Sequence, residues 1–356
     1  MKNPLILGLS ILMLASCGRH APKEQPAAPR EFINDNVVRT TPVRDQGRSP
    51  LCWAYAMAAT IESEHLMQGD SVTLSTDYLA RLLLRDAARR AFLSRGEQPV
   101  SLRGMMTMTT DLMAQYGIVP LDTYDNLEGV NYTSLAKKAQ SIARAATTLT
   151  RLDQRLADVM DENIGYLPRL VAMLGMTYTP RQFAESVCLP GEYDALTSFT
   201  HHPFYQPFVL ETPDNQLRDR FLNIPIDTLM HRVVRALRQG HPVCWEGDIS
   251  EPGFDWPRGR ATLPADRDSH HRSLSRPATN KAAVTQQQRQ RAFERRLTTD
   301  DHCLELCGLA HDRDGRPFFL AKNSWGRTNR YGGFIYLSYN YVKMKTIAVC
   351  IPRSAK

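Results

Sequence analysis

Two residues far apart in the sequence could form a thiol–imidazole pair. Cys52 lies in the run Val43-Arg-Asp-Gln-Gly-Arg-Ser-Pro-Leu-Cys-Trp-Ala-Tyr, and His302 lies near the other end of the chain. A thiol becomes a strong nucleophile when it loses its proton, and a nearby imidazole can accept that proton. Asn323 supplies a side-chain carbonyl that could fix the tautomer of the imidazole. Together these residue types fit nucleophilic attack on a carbonyl carbon.

The segment around Cys52 predicts a helix start. Ser49 is a good N-cap, and Pro50 suits the first helical position because its missing N–H would have no partner there. Cys52 would then lie in the first turn, where the helix dipole favours a thiolate. The side-chain N–H of Gln46 could join the backbone N–H of Cys52 in binding an oxyanion. Alternatively, Cys52 is a small buried residue of the core.

The segment around His302 predicts a β-hairpin. An apolar run begins at His302, the pair Asp314-Gly315 indicates a tight turn, and residues 317–322 form the return strand. The return strand leads directly to Asn323, so the hairpin would place the imidazole and the amide side by side. Trp325 could shield the hydrogen bond between them from water.

The motifs Gln-Gly-x-x-x-x-Cys-Trp-Ala-Tyr, Asp-His-Cys and Lys-Asn-Ser-Trp-Gly resemble the papain superfamily of cysteine peptidases in sequence and in order. The likeness is closest to the bleomycin hydrolase and aminopeptidase C branch, and residues 104–120, 222–227, 240–248 and 298–302 carry it. This resemblance implies an α+β, papain-like fold of two lobes. The N-terminal lobe would be helical, the C-terminal lobe would be an antiparallel β structure, and the active-site cleft would lie between them.

The resemblance also implies roles for single residues. Cys52 would be the nucleophile, His302 the base, Asn323 the residue that orients it, and Gln46 part of the oxyanion hole. No cofactor and no metal are implied. Four further residues are expected to contact the substrate in the cleft: Arg103, Gly104, Asp301 and Trp325.

The sequence departs from the papain pattern in three places. Ser49-Pro-Leu51 replaces the usual Cys-Gly-Ser, so one disulfide beside the cleft is expected to be absent. Arg103-Gly104 replaces the glycine pair that binds the substrate backbone. The chain ends at Lys356, so the C-terminal arm of the aminopeptidase branch is expected to be missing or short. Aminopeptidase and endopeptidase action therefore both stay open, as does the oligomeric state.

The N-terminus predicts export and a lipid anchor. Residues 1–16 read as a signal peptide with an apolar core over Leu5–Leu14, which is too short for a permanent span. The run Leu-Ala-Ser-Cys ending at Cys17 resembles a bacterial lipoprotein cleavage box, although an ordinary secretory peptide is the alternative. We expect a lipid on Cys17, a tether over 17–36, and a protein anchored to the cell membrane or outer membrane, on an unspecified face.

The rest of the chain, 37–356, is predicted to be one peptidase domain with a helical insertion at about 126–224. The net charge of +7 is modest for 356 residues, and no motif favours nucleic-acid binding. Five other cysteines are expected to be mostly small buried residues. A metal site made of Cys303 and Cys307 with Cys350 or His311 is disfavoured, because the short Cys-x-x-Cys spacing of zinc sites is absent.

The leading hypothesis is a lipid-anchored cysteine peptidase that acts on peptides or proteins. A second hypothesis is a non-catalytic peptide-binding lipoprotein with the papain fold, which the changed cleft residues suggest. A third is an acyltransferase that uses the same thioester chemistry.

Overall fold

The computed structural model describes residues 31–124, 130–173, 175–264 and 284–355. The predicted signal peptide, the predicted lipidation site Cys17 and most of the predicted tether lie outside these ranges. In the described ranges, none of the helices combines the length and apolar character that crossing a membrane requires.

Three helices follow one another early in the chain: α1 (Cys52–Gln68), α2 (Thr76–Leu93) and α3 (Thr107–Tyr116). Helix α2 has Ser75 as its N-cap, because the Ser75 hydroxyl accepts a hydrogen bond from the backbone N–H of Tyr78 at 3.1 Å. The predicted start of α1 is wrong by two residues. The hydroxyl of Ser49 donates to the carbonyl of Gln46 at 2.7 Å, so it does not cap the helix, and Leu51 is the N-cap.

The predicted insertion starts with helices and ends with strands. Its helical part contains α4 (Tyr132–Ala145), α5 (Leu149–Ile164), a small hairpin of β2 (Val171–Met173) and β3 (Met176–Tyr178), and α6 (Pro180–Val187). Its last part contains β4 (Tyr193–Thr197), β5 (Pro207–Val209) and β6 (Arg220–Asn223). The prediction of a helical insertion up to residue 224 is therefore wrong for this last part. The short strands gave too little periodic signal to be recognised.

The remaining elements complete the fold. They are α7 (Ile226–Arg238), β7 (Val243–Gly247), β8 (Phe254–Asp255), β9 (Arg260–Ala261), α8 (Gln286–Glu294), β10 (His302–Asp312), β11 (Pro317–Lys322), β12 (Phe334–Ser338), α9 (Tyr339–Lys345) and β13 (Thr346–Pro352). The described strands other than β2 and β3 form one sheet in the order β5-β6-β4-β13-β7-β10-β11-β12-β9-β8, and β1 (Phe32–Val37) pairs with β10 outside this order. Pairing is antiparallel except between β4 and β6 and between β9 and β12.

The hairpin predicted around Gly315 is present. Strands β10 and β11 pair in antiparallel register, with Glu305 opposite Lys322. Gly315 has a φ of 77°, which a glycine adopts without strain. The hairpin therefore brings the start of β10 and the end of β11 to the same end of these two strands.

The predicted tether is too long at its C-terminal end. Phe32–Val37 forms strand β1, which pairs with β10 and places Phe32 opposite Asp312. The ring of Phe32 is buried and stacks on Tyr336 with centroids 4.1 Å apart. Burial of this aromatic ring outweighs the polar composition of the segment, so residues 32–36 belong to the folded domain.

Two hydrophobic clusters hold the described structure together. One is mainly helical and includes Trp53, Met57 and Leu79. The other lies on the sheet and includes Trp245 and Leu304. The five additional cysteines are buried free thiols, as expected: Cys188, Cys244, Cys303, Cys307 and Cys350.

Candidate active site

Helix α1 places Cys52 at its first residue, where the backbone N–H groups have no partners within the helix. The N–H groups of Ala54 and Tyr55 both point to the carbonyl of Leu51, at 2.9 and 3.1 Å. The half-buried Cys52 side chain therefore projects from the positive end of a 17-residue helix.

The hairpin brings His302 and Asn323 into contact. The imidazole Nε2 of His302 donates to Oδ1 of Asn323 at 2.8 Å, and both residues are buried. The same Oδ1 accepts the backbone N–H of Ser324 at 2.8 Å, which holds the amide in this orientation. With Nε2 occupied, Nδ1 is the nitrogen that remains for the thiol of Cys52, whose pKa His302 lowers through hydrogen bonding and charge.

Aromatic rings cover the imidazole on one side. The centroid of Trp325 lies 4.8 Å from that of His302, at an angle of 39°. Phe254 and Trp256 meet Trp325 edge-on at 5.9 and 5.3 Å. These rings keep water away from the side of the hydrogen bond that they cover.

A short loop before α1 is joined to the segment after Asn323. The backbone N–H of Gln46 donates to the carbonyl of Ser324 at 2.8 Å, and the hydroxyl of Ser324 donates to Oε1 of Gln46 at 2.5 Å. The Nε2 group of Gln46 donates to the carbonyl of Ser49 at 2.8 Å. Because Nε2 carries two hydrogens, one remains for a ligand.

These groups meet in one cavity of about 450 Å³. Of the predicted site residues, all except Asn323 and Cys17 line it. Asn323 lies behind His302, and Cys17 is outside the described ranges. The lining also contains residues that the sequence did not single out for the site: Ser49, Pro50, Asp214, Ile249 and Ser250.

The thiol of Cys52 is activated by its neighbours. A hydrogen bond with Cys303 is the largest influence that holds the pKa of Cys52 well below its usual range. Burial opposes it, while a hydrogen bond and the charge of His302 lower the pKa further. From its sequence pattern, Cys303 is predicted to be an ordinary buried residue, because nothing in that pattern indicates that β10 places this thiol beside α1.

The lining of the cavity also contains Gly104 and Arg103. A Cβ atom at position 104 would lie 2.7 Å from Sδ of Met108, so glycine fits here, and no side chain of this residue covers its backbone. The guanidinium of Arg103 forms two hydrogen bonds with the carboxylate of Asp214, at 2.6 and 2.8 Å. Asp301 accepts from the hydroxyl of Thr299 at 2.7 Å.

One group among the described residues could hold a metal ion by proximity: His201, His202 and Glu211. Glu211 already bonds Nε2 of His201 at 3.2 Å and Nε2 of His202 at 2.6 Å. Gln290 donates to Nδ1 of His201 at 3.0 Å, and its Oε1 is fixed by the backbone N–H of Thr200 at 2.7 Å. A neutral His201 therefore carries its proton on Nε2, the nitrogen that a metal would need.

Comparison with known proteins shows likeness in structure but not in sequence. No family model and no curated protein matches the chain. The structure of PepW from Lactobacillus rhamnosis HN001 has a TM-score of 0.69 at 17% identity, with 91% of this chain and 82% of that chain covered.

Two further structures match at lower TM-scores. Digestive procathepsin L 3 of Tenebrio molitor larval midgut has a TM-score of 0.43 at 15% identity, over 93% of this chain and 72% of that chain. The ragweed pollen allergen Amb a 11, a cysteine protease in its proform, has a TM-score of 0.42 at 14% identity, over 92% and 66%.

The mixture of helices with one large sheet fits the predicted α+β class. The arrangement as two lobes stays a prediction. The chain is thus similar to PepW in its fold, and the α+β class that the sequence predicted is confirmed.

Proposed function

We propose that the protein is a cysteine peptidase that hydrolyses peptide bonds at Cys52. One observation carries the proposal: the first residue of α1 is a thiol that shares a cavity with an imidazole tied to Asn323 at 2.8 Å. A thiol of lowered pKa beside an oriented imidazole is the arrangement that nucleophilic acyl transfer requires.

The reaction would have two halves. The thiolate of Cys52 attacks the peptide carbonyl, and the negative charge that forms on oxygen is bound by the backbone N–H of Cys52 and the side chain of Gln46. His302, protonated at Nδ1, gives that proton to the amine. The amine departs, and the acyl group stays on Cys52 as a thioester. His302 then takes a proton from water, the hydroxide attacks the thioester, and the thiolate departs.

The test compares Cys52→Ala with Cys188→Ala, a matched control at a buried free cysteine outside the cavity. We expect Cys52→Ala to lose both peptide hydrolysis and labelling by a thiol-reactive epoxide, while Cys188→Ala retains both. Full hydrolysis by Cys52→Ala would contradict the proposal. Peptide binding by the unaltered protein without turnover would favour the non-catalytic alternative, and product transfer to added amines would favour the acyltransferase alternative.

We also propose that Cys17 carries a lipid that anchors the protein to a bacterial membrane. The supporting feature is the run Leu-Ala-Ser-Cys after an apolar core. In bacterial expression, the unaltered protein should fractionate with membranes, and Cys17→Ser should not acquire lipid. Equal membrane retention of both forms by detergent-sensitive attachment would contradict this anchor.

A further inference from the structure

The segment Thr212–Gln216, which we call the strap, lies between β5 and β6 and reaches the cavity that contains Cys52. Its central residue, Asp214, lines that cavity together with His302. Asp214 is 7% exposed, so the strap is packed against the rest of the protein at this point.

The strap is fastened to the wall that precedes α3. The carboxylate of Asp214 accepts from Nε and Nη2 of Arg103, at 2.6 and 2.8 Å. The side chain of Gln216 donates to the backbone carbonyl of Arg103 at 2.7 Å. A bidentate ion pair of this kind fixes the orientation of the two side chains as well as the distance between them. Arg103 is thereby held beside Gly104, the bare stretch of backbone in the cavity.

The strap is also fastened to the wall that precedes β10. The backbone N–H of Asp214 donates to Oδ2 of Asp300 at 2.9 Å. Asp300 is buried and lies two residues before His302. A single residue of the strap therefore bonds both to the segment before α3 and to the segment before β10.

The strap is stabilised from within by the side chain of Asn215, which we call the brace. Asn215 is 8% exposed, and its amide donates to the carbonyls of Leu210 and Asp219 at 2.9 Å each. Its Oδ1 accepts the backbone N–H of Asp219 at 2.8 Å. These three bonds close a tight loop, which makes the strap a fixed barrier.

The chemistry of the cavity indicates which part of a substrate meets the strap. His302 must protonate the leaving amine, so the leaving segment lies on the side of His302 and its neighbour Trp325. The acyl segment then runs along the Gly104 side, toward Arg103 and Asp214. An extended chain advances about 3.3 to 3.6 Å per residue, so a few residues are enough to reach a barrier within the cavity.

We propose that the strap closes the acyl end of the cavity and admits at most two substrate residues before the scissile bond. The proposal rests on the proposed peptidase function and specifies its substrate class as peptides cleaved next to their N-terminus. A cavity of about 450 Å³ suits an occupant of this size, because pockets of about 300 to 1,000 Å³ enclose small ligands.

Two series of compounds test the strap in the full protein. Fluorogenic substrates carry one, two, three or four residues before the cleaved bond. Peptide aldehydes of the same lengths fix the register without turnover, because the thiol of Cys52 adds to the aldehyde carbon and its proton passes to the aldehyde oxygen. We expect kcat/KM and aldehyde affinity to fall at least about 100-fold between two and three residues, since the third residue meets a packed barrier.

The variant Asn215→Ala removes the brace without altering a residue that lines the cavity. We expect it to raise the ratio of three-residue to one-residue kcat/KM about tenfold, because it loses bonds that hold the strap. Asn163→Ala is the control, since this exposed asparagine bonds only locally to the carbonyl of Val159. Thermal unfolding of both variants checks that they fold.

The outcomes separate the strap from the proposed function. Equal aldehyde affinity and equal kcat/KM for two, three and four residues in the unaltered protein would overturn the strap. If no substrate is cleaved but the aldehydes show the length limit, the strap stands and the peptidase proposal fails. If long substrates are cleaved internally at the rate of short ones, the strap fails and the peptidase proposal stands.

Discussion

A hydrogen bond from the Cys303 thiol is the largest influence that holds the pKa of the Cys52 thiol below its usual range. Cys303 follows His302 directly in β10, so neighbouring positions of one strand provide two side chains that lower the pKa of Cys52. Burial raises the pKa of Cys303 well above its usual range. Cys303 therefore keeps its proton and can donate it to a thiolate at position 52.

Replacing Cys303 should make the nucleophile less acidic. In Cys303→Ala the thiolate loses its donor, so we expect the midpoint for alkylation of Cys52 to move to higher pH. The alkylation rate below that midpoint should fall about tenfold, since a hydrogen bond to a charged group contributes about 1.5 to 3 kcal/mol. The measurement is the rate of iodoacetamide reaction against pH, with the modified cysteine identified by mass spectrometry.

Two variants complete this test. Cys303→Ser keeps a donor and should restore part of the low midpoint. Cys307→Ala removes another buried thiol of β10, one that bonds the carbonyl of Leu320 at 3.6 Å, and should leave the midpoint unchanged. An unchanged midpoint in Cys303→Ala would show that the hydrogen bond does not stabilise the thiolate.

Much of the site could be predicted because its parts lie in continuous sequence motifs. The turn at Gly315 and the apolar strands on either side of it indicated that His302 and Asn323 would be neighbours. Asp214 could not be predicted, because its position depends on a long loop meeting two distant walls. The C-terminal end of the tether could not be predicted either, because Tyr336, on which Phe32 stacks, lies far away in the sequence.

Asn323 should act by orienting the imidazole. In Asn323→Ala, Nε2 of His302 loses the acceptor that lies 2.8 Å away, so the ring can turn and the tautomer is no longer fixed. We expect kcat/KM on a one-residue substrate to fall about 10- to 100-fold, as for the loss of about 1.4 to 3 kcal/mol. Steady-state kinetics measure the effect, and an unchanged kcat/KM would show that catalysis does not depend on Asn323 orienting the imidazole.

Gln46 and Ser324 should differ in the size of their effects. Gln46→Ala removes the proposed oxyanion donor, so we expect kcat to fall about 10²- to 10³-fold with little change in KM. Ser324→Ala removes only the hydroxyl that donates to Oε1 of Gln46 at 2.5 Å, and its kcat should fall less. If Ser324→Ala impairs kcat as much as Gln46→Ala, the amide of Gln46 is not the oxyanion donor.

The strap should loosen in acid. Burial raises the pKa of Asp214 to about 6, although the bonds from Arg103 oppose the rise, and the charges of Asp300 and Cys52 add to it. Above this pKa the carboxylate is ionised and paired with Arg103, and as the pH falls through it the carboxyl gains a proton and the pair is lost. Selectivity for short substrates should therefore be lower at pH 5 than at pH 7.5.

The measured quantity is the ratio of kcat/KM for three-residue and one-residue substrates. Protonation of the Cys52 thiolate affects both substrates, so it cancels in the ratio. Asp214→Asn cannot ionise and should give a ratio that does not change with pH. A ratio that varies equally with pH in Asp214→Asn and the unaltered protein would mean that another group controls the strap.

A buried ion pair next to Asn323 should make a large contribution to the free energy of unfolding. Nζ of Lys322 lies 3.3 Å from Oε2 of Glu305, with the side chains 5% and 0% exposed, and Lys322 directly precedes Asn323. Lys322→Met leaves a buried carboxylate without its cation, so we expect the free energy of unfolding to fall by about 3 to 5 kcal/mol. Urea unfolding followed by tryptophan fluorescence measures the change.

The double variant Lys322→Met with Glu305→Gln removes both charges and should recover much of the lost stability, because the cost arises from the unpaired charge and not from the missing lysine. Lys137→Met, at an exposed position of α4, should change the free energy of unfolding by no more than about 0.5 kcal/mol. If the two changes at 305 and 322 simply add, the pair is not coupled. In that case the stability of this region depends on packing between α1 and β10, and charge pairing contributes little.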